Sequence, residues 1–111
     1  MFVKLNVGGV VFTTTKQTLT RHDSYFSGLV EQSIDPLPEL FVDRDSTHFR
    51  HILNYMRGSS ALPSDYDTLR QIYVEAEFYS LPVLCEHVRQ QLAKAHGRDL
   101  AMLLQRIADR L

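Results

Sequence analysis

The chain has 111 residues, enough for one domain that buries a core without disulfides or metal. Its apolar fraction of 44% and charged fraction of 23% are ordinary for a globular protein and argue against intrinsic disorder. The formal net charge of −1, with no run of Lys or Arg, argues against nucleic-acid binding, because neutralised phosphates supply most of the affinity of such proteins.

The cysteine count, the apolar segments and the N-terminus indicate the cellular compartment. The single cysteine, Cys85, excludes an internal disulfide and is typical of a reducing compartment. No apolar stretch reaches the 18 residues of a membrane span, and the N-terminus runs into a strand pattern instead of a signal-peptide layout. We therefore expect a cytoplasmic protein without direct membrane insertion.

The first predicted element is a β-hairpin. Two β-rich segments, residues 2–7 and 10–15, flank Gly8-Gly9, and a two-residue turn needs the positive φ that glycine adopts. A phosphate-binding loop is disfavoured, because its glycines would lead into a helix and here they lead into another strand.

The middle of the chain is predicted to alternate short elements with loops. Residues 18–23 form a short connection, and either Asp23 or Ser24 caps a helix over residues 25–31. After it, the sequence predicts a loop and a brief strand. The loop is marked by Pro36 and Pro38, and the strand is Leu40-Phe41-Val42.

The second half of the chain is predicted to be helical. One helix, capped by Asp45 or Ser46, ends at Gly58. Its apolar stripe at spacing i, i+3, i+4, i+7 consists of Phe49, Ile52, Leu53 and Met56. Ser64 is predicted to cap the next helix, with Asp67 completing a weak capping box. The stripe of that helix consists of Leu69, Ile72, Tyr73, Ala76 and Tyr79.

Two further helices complete the prediction. Pro82 suits the first position of a helix that Gly97 ends, with Leu84, Val88 and Leu92 on its buried face. A last amphipathic helix carries Leu100, Leu103, Leu104, Ile107 and Leu111. The order of hairpin, helix, strand and four helices predicts an α+β fold.

No set of residues predicts catalysis, a cofactor or a metal. The five histidines are His22, His48, His51, His87 and His96. Together with Cys85 they lack the spacing and the four-ligand set of a structural zinc site. No nucleophile has a base and an orienting group nearby in sequence. We therefore expect no enzyme, no cofactor and no bound metal.

Two apolar features do not fit a simple core. Phe78 lies off the stripe of its helix, so the ring is either exposed beside Tyr79 or turned inward by a kink before Pro82. The last helix is apolar along one side, and docking on the preceding helix pair is the favoured interpretation of that face.

Three ordered segments resemble a known family. Residues 3–14 resemble the LNVGG opening of the potassium-channel tetramerisation domain, a branch of the BTB/POZ family. Residues 41–58 resemble its block around DRD and ILNYLR-G, and residues 75–79 resemble its EAEFY segment. The residues of these segments most resemble those of KCTD-like proteins. The resemblance implies a BTB/POZ domain over residues 1–94. Residues 95–111 are not covered by the resemblance, and the apolar pattern assigns them to a C-terminal amphipathic helix.

The resemblance also implies function. It implies a ring of four or five copies, and the self-association residues would be Asn6, Asp43, Arg44, Asp45, Asn54 and Arg57. Alternatively, Arg44 and the two aspartates bridge only within one chain. An adaptor for a cullin-type ubiquitin ligase is implied, with Phe78 and Tyr79 at the partner surface. The alternative is the cytoplasmic assembly domain of, or related to, a voltage-gated potassium channel, whose intersubunit zinc site of one His and three Cys cannot be carried over to a chain with one Cys.

Overall fold

The computed structural model describes residues 2–32 and 39–110, so the loop predicted at Pro36 and Pro38 lies outside the described residues. Three strands and five helices are present in the described part. In chain order they are β1 (Phe2–Val7), β2 (Val10–Thr15), α1 (Lys16–Thr20), α2 (Tyr25–Glu31), β3 (Leu40–Val42), α3 (Phe49–Met56), α4 (Tyr66–Phe78) and α5 (Pro82–Arg110). A small sheet followed by helices confirms the predicted α+β class.

The three strands form one sheet in the order β2-β1-β3. β1 pairs antiparallel with β2 through the predicted hairpin, and β3 lies parallel to β1 with Leu40 opposite Leu5. The turn needs glycine for two reasons. Gly8 has φ of 57° and Gly9 has φ of 102°, and a Cβ at Gly8 would collide with the carbonyl oxygen of Arg44.

The connection predicted over residues 18–23 is wrong for residues 18–20, which belong to a helix, α1, that runs from Lys16 to Thr20, whereas residues 21–23 do connect two helices. The Thr15 side chain caps this helix by accepting a hydrogen bond from the Thr18 N–H at 3.1 Å. Leu19 is the one buried residue of the turn. A helix of five residues is too short to display the periodicity on which sequence prediction depends.

The caps of the next two helices agree in part with prediction. Ser24 caps α2 in a capping box with Ser27, which confirms one of the two predicted residues. Neither predicted residue caps α3, whose N-cap His48 makes no side-chain capping bond. The Asp45 carboxylate instead accepts from the backbone N–H of Thr47 at 2.7 Å, in the turn before the helix.

Helix α4 begins one residue later than predicted and ends in a Schellman motif. Asp65, not Ser64, is the N-cap, and its carboxylate accepts from the Thr68 N–H at 2.9 Å. At the other end the Leu81 N–H donates to Ala76 O at 3.0 Å. Ser80 adopts the left-handed φ of 56° that this ending requires.

Helix α5 runs without interruption from Pro82 to Arg110, so the prediction that Gly97 ends it is wrong. Three helices, not four, therefore follow β3. Glycine in a helix interior costs only about 1 kcal/mol relative to alanine, and the good helix formers on both sides keep the helix continuous. The predicted docking of the last helix is also wrong, because every described side chain from residue 100 to 110 is exposed.

The core lies between one face of the sheet and helices α1 to α5. Its largest fully buried members are Tyr79, Phe26, Phe49, Leu5, Leu19, Ile52, Leu53 and Met56. Both predicted helical stripes are confirmed, except that Tyr73 is only half-buried. In the part of the chain that the structure describes, no helix is both apolar and long enough to span a bilayer.

Candidate interaction surface

The end of α4 separates two adjacent aromatic residues. Tyr79 points into the core and is 0% exposed, whereas Phe78 lies at the surface and is 39% exposed. The separation follows from the Schellman motif, which turns the chain directly after Tyr79 and brings Leu81 into the core. Of the two predicted positions for Phe78, the structure shows the surface one.

Phe78 is exposed but held in place. The Arg44 guanidinium carbon lies 4.2 Å from the centre of the Phe78 ring, in cation–π geometry. The ring of Tyr25 also contacts Phe78, with 5.3 Å between the two ring centres and a tilt of 42°. Phe78 therefore presents part of its ring to solvent in a fixed orientation.

Arg44 is fixed by an ion pair with Glu75, one turn before Phe78 on α4. Its Nε donates to Glu75 Oε1 at 3.3 Å, and its Nη2 donates to Oε2, which makes the pair bidentate. The hydrogen bond to Glu75 raises the pKa of Arg44. The predicted bridge between Arg44 and its neighbouring aspartates is thus wrong in its partner, although Arg44 does bridge within the chain.

Tyr79 supports this surface from beneath. Its ring stacks on Phe26 with 4.7 Å between the ring centres, and its carbonyl oxygen accepts from the Tyr25 N–H at 3.0 Å. Burial raises the pKa of Tyr79 well above its ordinary value. In the described part of the chain its hydroxyl has no hydrogen-bond partner. The predicted partner residue Tyr79 is therefore inaccessible in the isolated chain.

An apolar side chain and a polar groove adjoin Phe78. Val74 lies one turn before it on the same face of α4 and is exposed. The groove between this face and the turn before α3 is lined by Asp45, Thr47, His48, Gln71, Val74 and Glu75. Two of the lining residues are hydrogen-bonded, with His48 Nε2 and Gln71 Oε1 2.8 Å apart, and this bond links the start of α3 to α4.

Besides Arg44, the three remaining non-acidic residues of the predicted self-association set also make contacts within the chain. The Asn6 carboxamide oxygen accepts from the Gly9 N–H at 2.8 Å and braces the hairpin turn. Asn54 accepts from Arg57, whose Nη2 also reaches the carbonyl oxygen of Thr13 at 3.0 Å. These contacts order the side chains at the surface.

The two acidic residues of the predicted set, Asp43 and Asp45, are exposed. Asp43 follows β3 and has no hydrogen-bond or ion-pair partner among the described residues. Hydrogen bonds from the Thr47 hydroxyl and N–H lower the pKa of Asp45. The structure thus brings together Asp43 and Asp45 at one side of the sheet, and Asn54 and Arg57 at the other.

The candidate metal ligands do not converge. Across residues 2–32 and 39–110, no group of three or more His, Cys, Asp or Glu side chains could hold a metal ion. His48 and His51 have ring centres 6.5 Å apart, and burial lowers the pKa of His51. Burial also raises the pKa of the Cys85 thiol, which disfavours the thiolate that metal binding and nucleophilic attack both use.

Sequence reasoning missed Glu75, Val74 and Tyr25 as parts of this surface. Val74 and Phe78 have the i, i+4 spacing of helix neighbours, and Glu75 and Phe78 have the i, i+3 spacing. That spacing was the available signal for the first two. Nothing local indicates Tyr25, which lies 53 positions from Phe78.

Comparison with known proteins agrees with this fold. The chain matches the BTB/POZ domain family over residues 3–88. It is 36% identical over 96 residues to the Xenopus laevis "BTB/POZ domain-containing adapter for CUL3-mediated RhoA degradation protein 2". It is 39% identical over 98 residues to protein 1 of that name from Danio rerio, and 39% identical over 83 residues to protein 2 from Homo sapiens.

The three matches cover 82%, 84% and 70% of this chain. They cover only 30%, 30% and 26% of the relatives, so the chain spans less than a third of their length. The family match includes nearly all of the sheet, the helices as far as the first two turns of α5, and the Phe78 surface. The chain therefore belongs to the BTB/POZ family, in the potassium-channel tetramerisation branch that includes the KCTD-like proteins.

Proposed function

We propose that the chain is a non-enzymatic cytoplasmic domain that assembles with copies of itself and binds a cullin scaffold through Phe78. The observation that supports the cullin contact is the exposure and the fixed orientation of the Phe78 side chain. It is large, aromatic and 39% exposed, yet fixed by Arg44 and Tyr25. Ordered aromatic residues that lose little freedom on binding are the usual sources of interface energy.

The names of the relatives support this proposal. They are adapters for CUL3-mediated degradation of RhoA, and the part of them that this chain matches includes the Phe78 surface. These names favour an adapter over the assembly domain of a channel. We assign the cullin contact to Phe78 and Val74, and we assign Tyr79 the role of supporting Phe78 from the core.

Self-association completes the proposal. We place copies in a ring of four or five, built from one repeated contact that closes when the rotation between neighbours fits. The residues proposed at this contact are Asn6, Asp43, Arg44, Asp45, Asn54 and Arg57. Light scattering should give four or five times the chain mass of 12.8 kDa. A monomer at tens of micromolar would contradict this part of the proposal.

The cullin contact is tested by Phe78→Ala. We expect at least tenfold weaker binding of a purified cullin 3 N-terminal domain, which corresponds to about 1.4 kcal/mol. The mass of the assembly and the helix content should stay unchanged. Isothermal titration calorimetry measures the affinity and circular dichroism measures the fold. Phe2→Ala is the matched control, because Phe2 is 78% exposed and lies on the sheet, away from α4.

Three results would count against the cullin contact. Unfolding of the Phe78→Ala variant would place the ring in the core. Equal weakening by Phe2→Ala would show that the loss is not specific to Phe78. Failure of the wild-type chain to bind the cullin domain would leave only self-assembly.

A further inference from the structure

The last part of α5 extends beyond the domain. Arg98 Nη2 donates to Ser64 O at 3.2 Å, which ties the helix to the loop before α4. From Arg98 to Arg110 the helix rises by about 18 Å. Every described side chain from residue 100 to 110, a segment that we call the tail, is exposed. The tail therefore leaves the domain without being covered by its own chain.

The tail carries an apolar face that differs from the buried face of α5. The residues that α5 buries in the core are Leu84, Val88 and Ala95. The apolar residues that share one side of the tail, each about half exposed, are Leu100, Leu103, Leu104 and Ile107, and we call them the tail strip. At about 100° of rotation per residue, the centre of the tail strip lies about 130° around the helix from the centre of the buried face. The tail strip is therefore a second apolar face and not a continuation of the first.

The spacing of the tail strip matches the seam of a coiled coil. Leu100, Leu104 and Ile107 follow one another at steps of four and three residues. These steps place Leu104 at heptad position a, and Leu100 and Ile107 at position d. Leucine at a with isoleucine at d favours bundles of three or four strands over pairs. Leu103, at the flanking position g, widens the seam to the broader face that a helix in a bundle buries.

The tail strip is too small to hold copies of the chain together by itself. Its four side chains, each about half exposed, provide less than the roughly 800 Å² that each partner buries in a stable interface. A ring would bring the tails together at a high effective concentration, which compensates for a small contact. Because rotation about one axis relates the copies of a ring, their tails would also point in the same direction.

We propose that the tail strips of neighbouring copies pack against one another as a parallel helical bundle along the axis of the ring. The inference rests on the self-association proposed above, and it adds a contact made by α5 to the polar contact proposed there. A heptad seam is complementary to a second copy of itself, so other copies of this chain are the occupants that fit the tail strip.

A lipid surface fits the tail less well than other copies do. Helices that lie on membranes carry polar faces rich in Lys and Arg. The tail has two arginines, Arg106 and Arg110, and Asp109 offsets the charge of one of them.

Disulfide trapping tests the bundle in the assembled chain. Cys85→Ser removes the native thiol, and Leu100→Cys then places one thiol on the seam of each copy. Equal heptad positions of neighbouring helices face each other in a parallel bundle. We therefore expect diamide to link Leu100→Cys copies into covalent dimers at least tenfold faster than Met102→Cys copies, as followed on non-reducing gels. Met102 is the matched control, because it is 58% exposed on the same tail and lies about 160° around the helix from Leu100.

A charge on the seam should separate the tails while the ring remains. Leu104→Asp, combined with Leu100→Cys, should slow the crosslinking at least tenfold, with the mass of the assembly unchanged in light scattering. Gln105→Asp places the same charge outside the tail strip and should leave the crosslinking rate as it was.

The outcomes separate this inference from the self-association beneath it. An assembled wild type whose Leu100→Cys and Met102→Cys variants crosslink at equal rates would overturn the bundle and leave the ring in place. Sedimentation of the wild type with phosphatidylserine vesicles, lost on Leu104→Asp, would assign the tail strip to a lipid surface and also overturn the bundle. A wild type that is monomeric in light scattering would overturn both proposals. Circular dichroism establishes that each variant is folded.

Discussion

The backbone conformation of Ser80 is unfavourable for any residue that carries a Cβ atom. Its φ of 56° is in the left-handed region, where a Cβ costs about 1 kcal/mol or more. The conformation persists because it completes the end of α4, with the Ser80 N–H donating to Glu77 O at 3.1 Å and the next residue turning into the core. The same turn determines that Tyr79 is buried and Phe78 exposed.

Ser80→Gly should raise the free energy of unfolding by about 0.5–1 kcal/mol, since glycine adopts this φ without strain but gains more entropy when unfolded. Urea unfolding at one fixed protein concentration measures the change, because assembly makes stability concentration-dependent. Ser80→Ala keeps the Cβ and should match the wild type. Equal stability of the glycine and alanine variants would show that the turn is not strained.

The long helix α5 has two parts with different surroundings. As far as Ala95 it packs on the core, and Arg98 makes a last contact through its Nη2 with Ser64 O at 3.2 Å. Past that point, a strip about 100° wide is exposed, with Leu100, Leu103, Leu104 and Ile107 each between 48% and 58% accessible. This strip adds no contact to the core of its own chain.

Removal of residues 99–111 should therefore leave the domain folded, with a thermal midpoint within about 4 °C of the full chain, equivalent to less than about 1 kcal/mol. Differential scanning fluorimetry measures it, and removal of residues 89–111 is the contrasting variant, because it also deletes Ala95 from the core. A drop of 10 °C or more on the shorter truncation would show that the strip packs on the domain of its own chain.

Assembly of the whole molecule should not depend on metal. The described residues contain no cluster of three metal-binding side chains, and four ligands are usual for structural zinc. Light scattering in excess EDTA should therefore give the same mass as in buffer, and zinc added back should change nothing. Dissociation on chelation that zinc reverses would show that histidines from neighbouring copies combine at the contact.

At the scale of single elements, the sequence determined most of the fold. Alternating apolar residues and the Gly8-Gly9 turn predicted the hairpin, and the stripes from Phe49 and from Leu69 predicted α3 and α4. These signals are local, because strand and helix periods bring residues two to four positions apart onto one face. The same signals failed for the five residues of α1, which are too few to repeat a period.

The tertiary structure alone decided how the surfaces are built. Arg44 stands between two aspartates in sequence, yet it pairs with Glu75, 31 positions away, because α4 brings that carboxylate and Phe78 beneath it. In the sequence, Gly97 was compatible with a helix end and with a helix interior, and the structure shows a continuous α5. Its apolar face after Gly97, which the sequence predicted to dock on the preceding helices, is exposed. The physical reason is common to both: a local pattern specifies which side chains share a face, but only packing between distant elements specifies what lies against that face.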